Sequence, residues 1–319
     1  MKRNITRKSK QLLQLEVLLA RLSSNYPKYY KIKEQHAREL AGYLGESSLY
    51  YHFNFLEITD GYHLTSIRIR GKQFYFQIDH LILTQCVCFI IEVKHRKGLV
   101  KCSERGQYIQ EYNGQQKVFE DPYLQALIQK KQLEYLLAIH NFPLLPIHPI
   151  VVFSHDQSLL DTSIQTPNVV TLQQFADYLN ETYRSYKQVF INKHTLKSLN
   201  QLLIESNTQL TTNLQERYLI KKTDLKLGVL CQSCKQNILM RCLVGNWECP
   251  RCLTKDKLAH KDALRHFAVL YKPTIMNHEA KWWLKLDSAN TSYRLLKQTA
   301  KSYTGKNKGR IYDLSNLIT

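Results

Sequence analysis

The chain has 319 residues, 44% hydrophobic and 22% charged. That is enough for more than one core, and it excludes a disordered chain or one that needs disulfides to fold. Its 45 Lys and Arg against 26 Asp and Glu give a formal charge of +19. Such an excess draws polyanions, so nucleic acid is the first expectation and an anionic membrane the second, with a merely solvated basic surface as the plain alternative.

In chain order, residues 10–56 read as helix. Leu12, Leu13, Leu15, Leu18, Leu19 and Leu22 form one apolar face, broken by Gln14, Glu16 and Arg21, so this is an amphipathic helix rather than a secretory signal. A second helix runs from about Lys33 toward Phe55 and includes Gly45 and Glu46. Three runs follow, 63–70, 73–83 and 86–94, rich in β-branched and aromatic residues with Gly71-Lys72 at the first turn; they read as consecutive strands. The most apolar stretch, 81–93, holds Thr84, Gln85 and Glu92 and is too short to span a bilayer. A cytoplasmic protein with no membrane partner is expected, its eight cysteines thiols or metal ligands. Asp121-Pro122 supplies an N-cap and a Pro at the first position of a helix to about His140. Residues 149–154 read as a short strand, and Thr171 as the cap of a helix burying Leu172, Phe175 and Leu179. This order predicts an α/β or α+β domain over 36–190, after an N-terminal helical segment, 1–35, and before a helical connector, 191–225.

Glu92 and Lys94 share one face of their strand, because side chains alternate. Asp79 lies on the preceding strand among apolar residues. Charges in such strands are costly unless paired, metal-bound or at a strand end. Two carboxylates and an ammonium on neighbouring strands suit phosphodiester hydrolysis with a hard divalent cation held through oxygen, Mg²⁺ or Mn²⁺. Taken alone, a Glu-x-Lys pair is more often a strand-end salt bridge than a catalytic site. His80 faces away from Asp79 and reads as core packing or an outer hydrogen bond, and His95 as surface at the strand end.

With Glu46 before these residues and Gln125 after them, the sequence resembles the nuclease-related domain family, NERD, a branch of the PD-(D/E)XK nucleases. The matching pieces are Gly45-Glu46, Gln77-Ile78-Asp79-His80, Ile91-Glu92-Val93-Lys94 with Gly98 behind it, and Asp121-Pro122-Tyr123-Leu124-Gln125, over roughly 36–145. The family's usual Asn-Pro is Asp-Pro here, which leaves the helix start intact. The resemblance implies a restriction-endonuclease-like core, helices around a central mixed sheet. It implies Asp79 and Glu92 as metal ligands and Lys94 as the catalytic lysine, supported by Glu46 and Gln125. A fold does not by itself guarantee its chemistry.

Cys231-Gln-Ser-Cys234 and Cys249-Pro-Arg-Cys252 are two knuckles whose four thiolates suit one tetrahedral Zn²⁺. A redox dithiol and an iron–sulfur cluster are the alternatives. An apolar strand over 238–244, a turn at Gly245-Asn246 and Trp247 behind it predict a zinc ribbon over 226–256. Cys242 reads as a spare hairpin residue, and Cys86, Cys88 and Cys102 as small apolar fillers. In 257–319, a helix from Asn277, a break at Asp287-Ser288, a helix over 289–298 burying Leu295 and Leu296, and a basic hairpin over 303–312 resemble a winged helix-turn-helix. It would present Asn290, Thr291, Ser292 and Arg294 to a groove of DNA, with Lys306, Lys308 and Arg310 at phosphates. A helical cap with a solvated lysine face is the other reading.

The expected protein is thus a metal-dependent DNA nuclease placed on DNA by its C-terminal modules. Its rival is a non-catalytic nucleic-acid-binding or regulatory protein on a nuclease-like scaffold. A third reading, membrane-surface association through a basic N-terminal helix (Lys2, Arg3, Arg7, Lys8, Lys10), has an apolar face without aromatic anchors.

Overall fold

A computed structural model describes residues 1–3, 7–166, 168–208, 210, 212–234 and 238–318, with backbone only for residues 2, 3 and 308. A two-residue strand, β1 (Lys2–Arg3), precedes α1 (Lys10–Arg21) and α2 (Tyr29–His52). Next come β2 (Tyr62–Arg70), β3 (Tyr75–Leu83), β4 (Cys88–Lys94), β5 (Gly98–Cys102), β6 (Tyr108–Tyr112), β7 (Gln115–Phe119), α3 (Pro122–Ile139), β8 (Ile147–Phe153), β9 (Ser158–Leu160), β10 (Val169–Thr171), α4 (Phe175–Ser185) and α5 (Lys193–Glu205). The remainder holds α6 (Leu214–Tyr218), β11 (Arg241–Leu243), β12 (Asn246–Glu248), β13 (Lys255–Asp256), α7 (Ala259–Leu270), β14 (Thr274–Met276), α8 (Asn277–Trp283), α9 (Ala289–Thr299), β15 (Ser302–Thr304) and β16 (Ile311–Asp313).

Two compact units emerge, and the cuts fall at other places than the expected segments. One holds 1–7 and 40–210, the other 8–39 and 211–319. The expected N-terminal segment is therefore divided: β1 pairs with β2, while α1 packs on α7. Leu12, Leu15 and Leu18 are fully buried, so the apolar face proposed for a membrane surface is already covered within its own unit. Lys2 and Arg3 lie in a strand rather than a helix, and the helix starts only at Lys10. Among the described residues, no helix is long and apolar enough to cross a membrane. Part of the expected connector is core as well, because Leu196, Leu199 and Leu203 of α5 pack with β2 and β3.

The first unit is built on a six-stranded mixed sheet in the order β1-β2-β3-β4-β8-β10. β2–β3–β4 is the antiparallel meander expected from the sequence, and β4, β8 and β10 run parallel. One face buries Ile67, Ile78, Leu81 and Ile90 against α3 and α5, and the other buries Phe89, Ile91 and Ile150 with Leu49 and Phe53 of the α2 end and Phe175 of α4. Such two-sided burial explains the near-continuous apolar run of β4. A second sheet, β7-β6-β5-β9, was not anticipated, since its strands are only three to five residues long and mostly polar. Thr171 does not cap a helix. It ends β10, paired to Phe153, and α4 starts four residues later with Gln174 as its cap.

In the second unit, α7, β14, α8 and α9 are followed by β15 and β16, in a three-stranded antiparallel sheet of order β14-β16-β15. This is the element order of a winged helix-turn-helix, with residues 305–310 as the wing. Asn277 opens α8 and Ser288 caps α9 with its hydroxyl, which fits Ser as a favoured N-cap residue. Fully buried Trp283 and Arg21 anchor this core. The Arg21 guanidinium stacks 4.1 Å from the Trp283 ring centroid and donates to His266 Nδ1 and to the Lys226 and Gly228 carbonyls. Burial without a carboxylate partner pulls its pKa down to about 9.

Candidate active site and metal centre

Asp79 owes its position to a break in the sheet. Leu64 pairs with Leu81 and Ile67 with Ile78, all four in one core, so two residues intervene on each strand where strict alternation allows one or three. The break is at Thr65-Ser66 and Asp79-His80, and Ser66 takes φ +49, rare for a non-glycine residue. A distortion of this kind re-aims side chains, as bulges do beside active sites. Here it brings Asp79 toward Glu92 and lets Glu46 of α2 approach, with the Ser66 hydroxyl donating to Glu46 Oε2 at 2.5 Å.

On β4, Cys88 and Ile90 point to the α3 face, so Glu92 and Lys94 do too. They meet Gln125 and Gln129, four residues apart and therefore on one side of α3. Lys94 Nζ donates to Glu92 Oε1 at 2.6 Å and to Gln125 Oε1 at 2.8 Å. Gln129 Nε2 donates to the other oxygen, Glu92 Oε2, at 2.7 Å, and Glu92 is 2% exposed. Asp79 Oδ2 accepts the Val93 backbone N–H at 2.9 Å. Its pKa lies well above the usual carboxylate value, first because of burial, then because of Glu92 and Glu46; the Val93 hydrogen bond and Lys94 oppose this.

All five residues singled out in the sequence thus belong to one neighbourhood. The sequence reading missed Ser66 and Gln129. Gln129 was detectable as the next same-side glutamine on α3, but nothing local marks Ser66. His80 points to the opposite face, fully buried, its Nε2 3.1 Å from the Glu46 carbonyl and its Nδ1 3.0 Å from His63 Nε2. His95 is not simple strand-end surface. Its Nδ1 lies 3.1 Å from Ser154 Oγ, its ring lies against His155, and a Cβ on Gly45 would come within 2.7 Å of its Cβ. The glycine before Glu46 is therefore needed for close packing of α2 on this strand end.

The second centre lies in the ribbon. The Sγ atoms of Cys231, Cys234, Cys249 and Cys252 all lie within 4.8 Å of one another, the only group of three or more possible ligand residues this close among the described residues. Cys231 and Cys252 are 3.6 Å apart and Cys234 and Cys249 are 3.8 Å apart. A tetrahedron with Zn–S of about 2.3 Å has edges of about 3.8 Å, whereas a disulfide needs about 2.05 Å. The four cysteines fit one zinc ion. The hairpin turns at Val244-Gly245, one residue earlier than expected, with Gly245 at φ +74. Trp247 is buried and donates to His260 on α7.

On α9, Asn290 and Arg294 are exposed and Thr291 is half-buried. Ser292 is fully buried, with its hydroxyl bonded to Asn277 and Ala289, so it cannot face a groove. Lys306 is exposed on the wing. Arg310 is half-buried, its guanidinium 4.6 Å from the Tyr303 ring centroid and bonded to the Tyr293 hydroxyl, a placement that ties the wing to α9. The Lys308 side chain lies outside the described residues.

Residues 41–154 match the model of the nuclease-related domain. The chain carries a NERD domain. The match spans every residue of the carboxylate and lysine site, from Glu46 to Gln129, and ends at Ser154. No curated protein and no solved structure matches the chain.

Proposed function

We propose that the NERD domain is a divalent-metal-dependent DNA nuclease, and that the ribbon and winged helix bring it to DNA. The convergence of Glu46, Asp79 and Glu92 beside Lys94 carries this reading. Burial and then the neighbouring Glu92 and Glu46 raise the Asp79 pKa, and a cation would offset that penalty. Their oxygens fit a hard ion, so Asp79 and Glu92, with Glu46 beside them, would hold Mg²⁺ or Mn²⁺. When bound, such an ion lowers the pKa of water and neutralises phosphate charge.

Lys94 has three N–H donors, and Glu92 and Gln125 take two. The third is left for a phosphate oxygen or the attacking water, where an ammonium stabilises the charge that develops at phosphorus. Gln129 fixes the Glu92 carboxylate and Ser66 fixes that of Glu46. For DNA placement, Asn290, Thr291 and Arg294 would face the bases and Lys306 the phosphates. The formal charge of +19 supports an anionic substrate.

One observation favours the rival reading of a non-catalytic nucleic-acid-binding protein. Both Glu92 oxygens are engaged by protein groups, and the three carboxylates do not close to within 4.8 Å. One experiment separates the two: purified chain with linear, circular and single-stranded DNA, each with Mg²⁺, Mn²⁺ or no added divalent ion. The nuclease reading expects metal-dependent cleavage that Lys94→Ala removes. Equal cleavage by wild type and Lys94→Ala, or none across the whole screen, would defeat it.

A further inference from the structure

A cleft of about 430 Å³ in the second unit is lined by Phe267, Tyr271 and Trp282, with Lys222, Lys272 and Glu279 around them. Its size falls in the range of small-molecule sites, roughly 300–1,000 Å³. Trp247 and Trp283 are 3% and 0% exposed and serve the core, whereas Trp282 is 39% exposed. It thus leaves a stacking face on the cleft.

The charges around these rings are unequal. Lys272 is paired with Glu279 Oε1 at 3.2 Å, and the other Glu279 oxygen accepts the Met276 N–H at 2.8 Å. Each Glu279 oxygen therefore already accepts a bond within the protein. Lys222 has no carboxylate partner among the described residues. Its Nζ stands 5.8 Å from the Tyr271 ring centroid and 5.9 Å from that of Trp282. An uncompensated ammonium beside two aromatic rings matches a flat ring bearing an anion.

We propose that this cleft binds one nucleotide unit, its base against Trp282 and Tyr271 and its phosphate at Lys222. Stacking on aromatic side chains beside a cationic track is how single strands are held, and every base has a face to stack. Bases inside a duplex are already stacked and cannot enter. The ligand is therefore a nucleotide of a single strand or a free mononucleotide. The cleft shares no residue with the exposed face of α9, the wing or the NERD site. The inference goes beyond the nuclease reading and requires neither divalent metal nor cleavage.

The three tryptophans of the chain, one of them exposed, make the test direct. Full-length Lys94→Ala chain, zinc-loaded and without added Mg²⁺, is titrated with a ten-nucleotide oligo(dT), with thymidine 5′-monophosphate and with a blunt duplex, following tryptophan fluorescence. The oligonucleotide quenches it and the duplex does not. Quenching by the monophosphate as well marks a site filled by a free nucleotide, and quenching by the oligonucleotide alone marks a site for a strand. Fluorescein-labelled oligo(dT) followed by anisotropy then reads affinity without relying on tryptophan. Trp282→Ala weakens binding roughly 5- to 150-fold, the equivalent of about 1–3 kcal/mol per stacked base. Lys222→Gln weakens it roughly tenfold. Both variants alter exposed side chains, so folding is retained and checked by circular dichroism. No quenching by any single-stranded ligand, or equal affinity in wild type, Trp282→Ala and Lys222→Gln, overturns the proposal. Loss of cleavage in wild type with the quench intact would defeat only the nuclease reading.

Discussion

The four ribbon cysteines already stand 3.6 and 3.8 Å apart in pairs, close to the edges of a zinc tetrahedron, whereas Glu46, Asp79 and Glu92 stay farther apart, each held by another protein group. The contrast follows from charge. Thiols can approach with little penalty, but carboxylates repel one another, and Glu92 and Glu46 add to the burial that raises the Asp79 pKa. A carboxylate site must therefore be supported by a pre-existing fold: a sheet break, a backbone N–H, a lysine and two glutamines. A cysteine site can itself hold a fold together, because three strands of two or three residues each form few ladder hydrogen bonds of their own.

The sharpest test of that contrast is metal removal. Zinc binding in such sites is worth about 10–16 kcal/mol and appears as folding energy. Chelation, or Cys249→Ser, should release Trp247 from its buried site and unfold the ribbon, seen as a red shift of tryptophan emission. The six-stranded sheet of the NERD unit should keep its far-ultraviolet circular dichroism. A ribbon that stays folded without metal would remove the distinction.

The next effect in size is catalytic. Lys94→Ala should lower the cleavage rate about 10²–10³-fold, or roughly 3–4 kcal/mol of transition-state stabilisation, while thermal unfolding moves little. If the melting temperature collapses together with activity, Lys94 is mainly a structural partner of buried Glu92.

A third comparison concerns protons in the second unit. His266 is 2% exposed and accepts the Arg21 N–H, and burial, then Arg21, brings its pKa down to about 3. A base with a depressed folded pKa stabilises the fold fully above its unfolded value, about 6.5, and less as pH falls toward about 3. Going from pH 7 to 5 should cost this unit on the order of 2 kcal/mol through His266, and His260, which burial brings down to about 4, adds a loss in the same direction. All three tryptophans lie in this unit, so denaturant titrations followed by their emission at the two pH values measure the change. His266→Gln should reduce the pH dependence, and an unchanged slope would refute the assignment.

The smallest expected effect tests the sheet break. Ser66→Ala removes the hydroxyl that holds Glu46 and should slow cleavage about tenfold, since a hydrogen bond to a charged group contributes about 1.5–3 kcal/mol, part of it recovered by water. An equal loss in Ser66→Gly, which accepts the φ of +49 without strain, would locate the effect in the hydroxyl. Full activity in Ser66→Ala would make the contact incidental.

Much of this was readable from residue types. The β2–β3–β4 meander follows from its apolar runs, the α3 start from Asp121-Pro122, the ribbon from two Cys-x-x-Cys knuckles and the NERD domain from five ordered pieces, because each signal is local and tied to one backbone geometry. Tertiary structure decided the rest. Nothing local shows that Ser66 lies opposite Asp79, that Arg21 stacks on Trp283, or that α1 joins the C-terminal core while α5 joins the first. Those pairings link residues tens to hundreds of positions apart, and an amphipathic stripe states only that a face must be buried, not against what. The same limit hid the burial of Ser292. Helical spacing places it next to Asn290 and Arg294, but which arc of α9 turns inward was fixed by Asn277 at the start of α8.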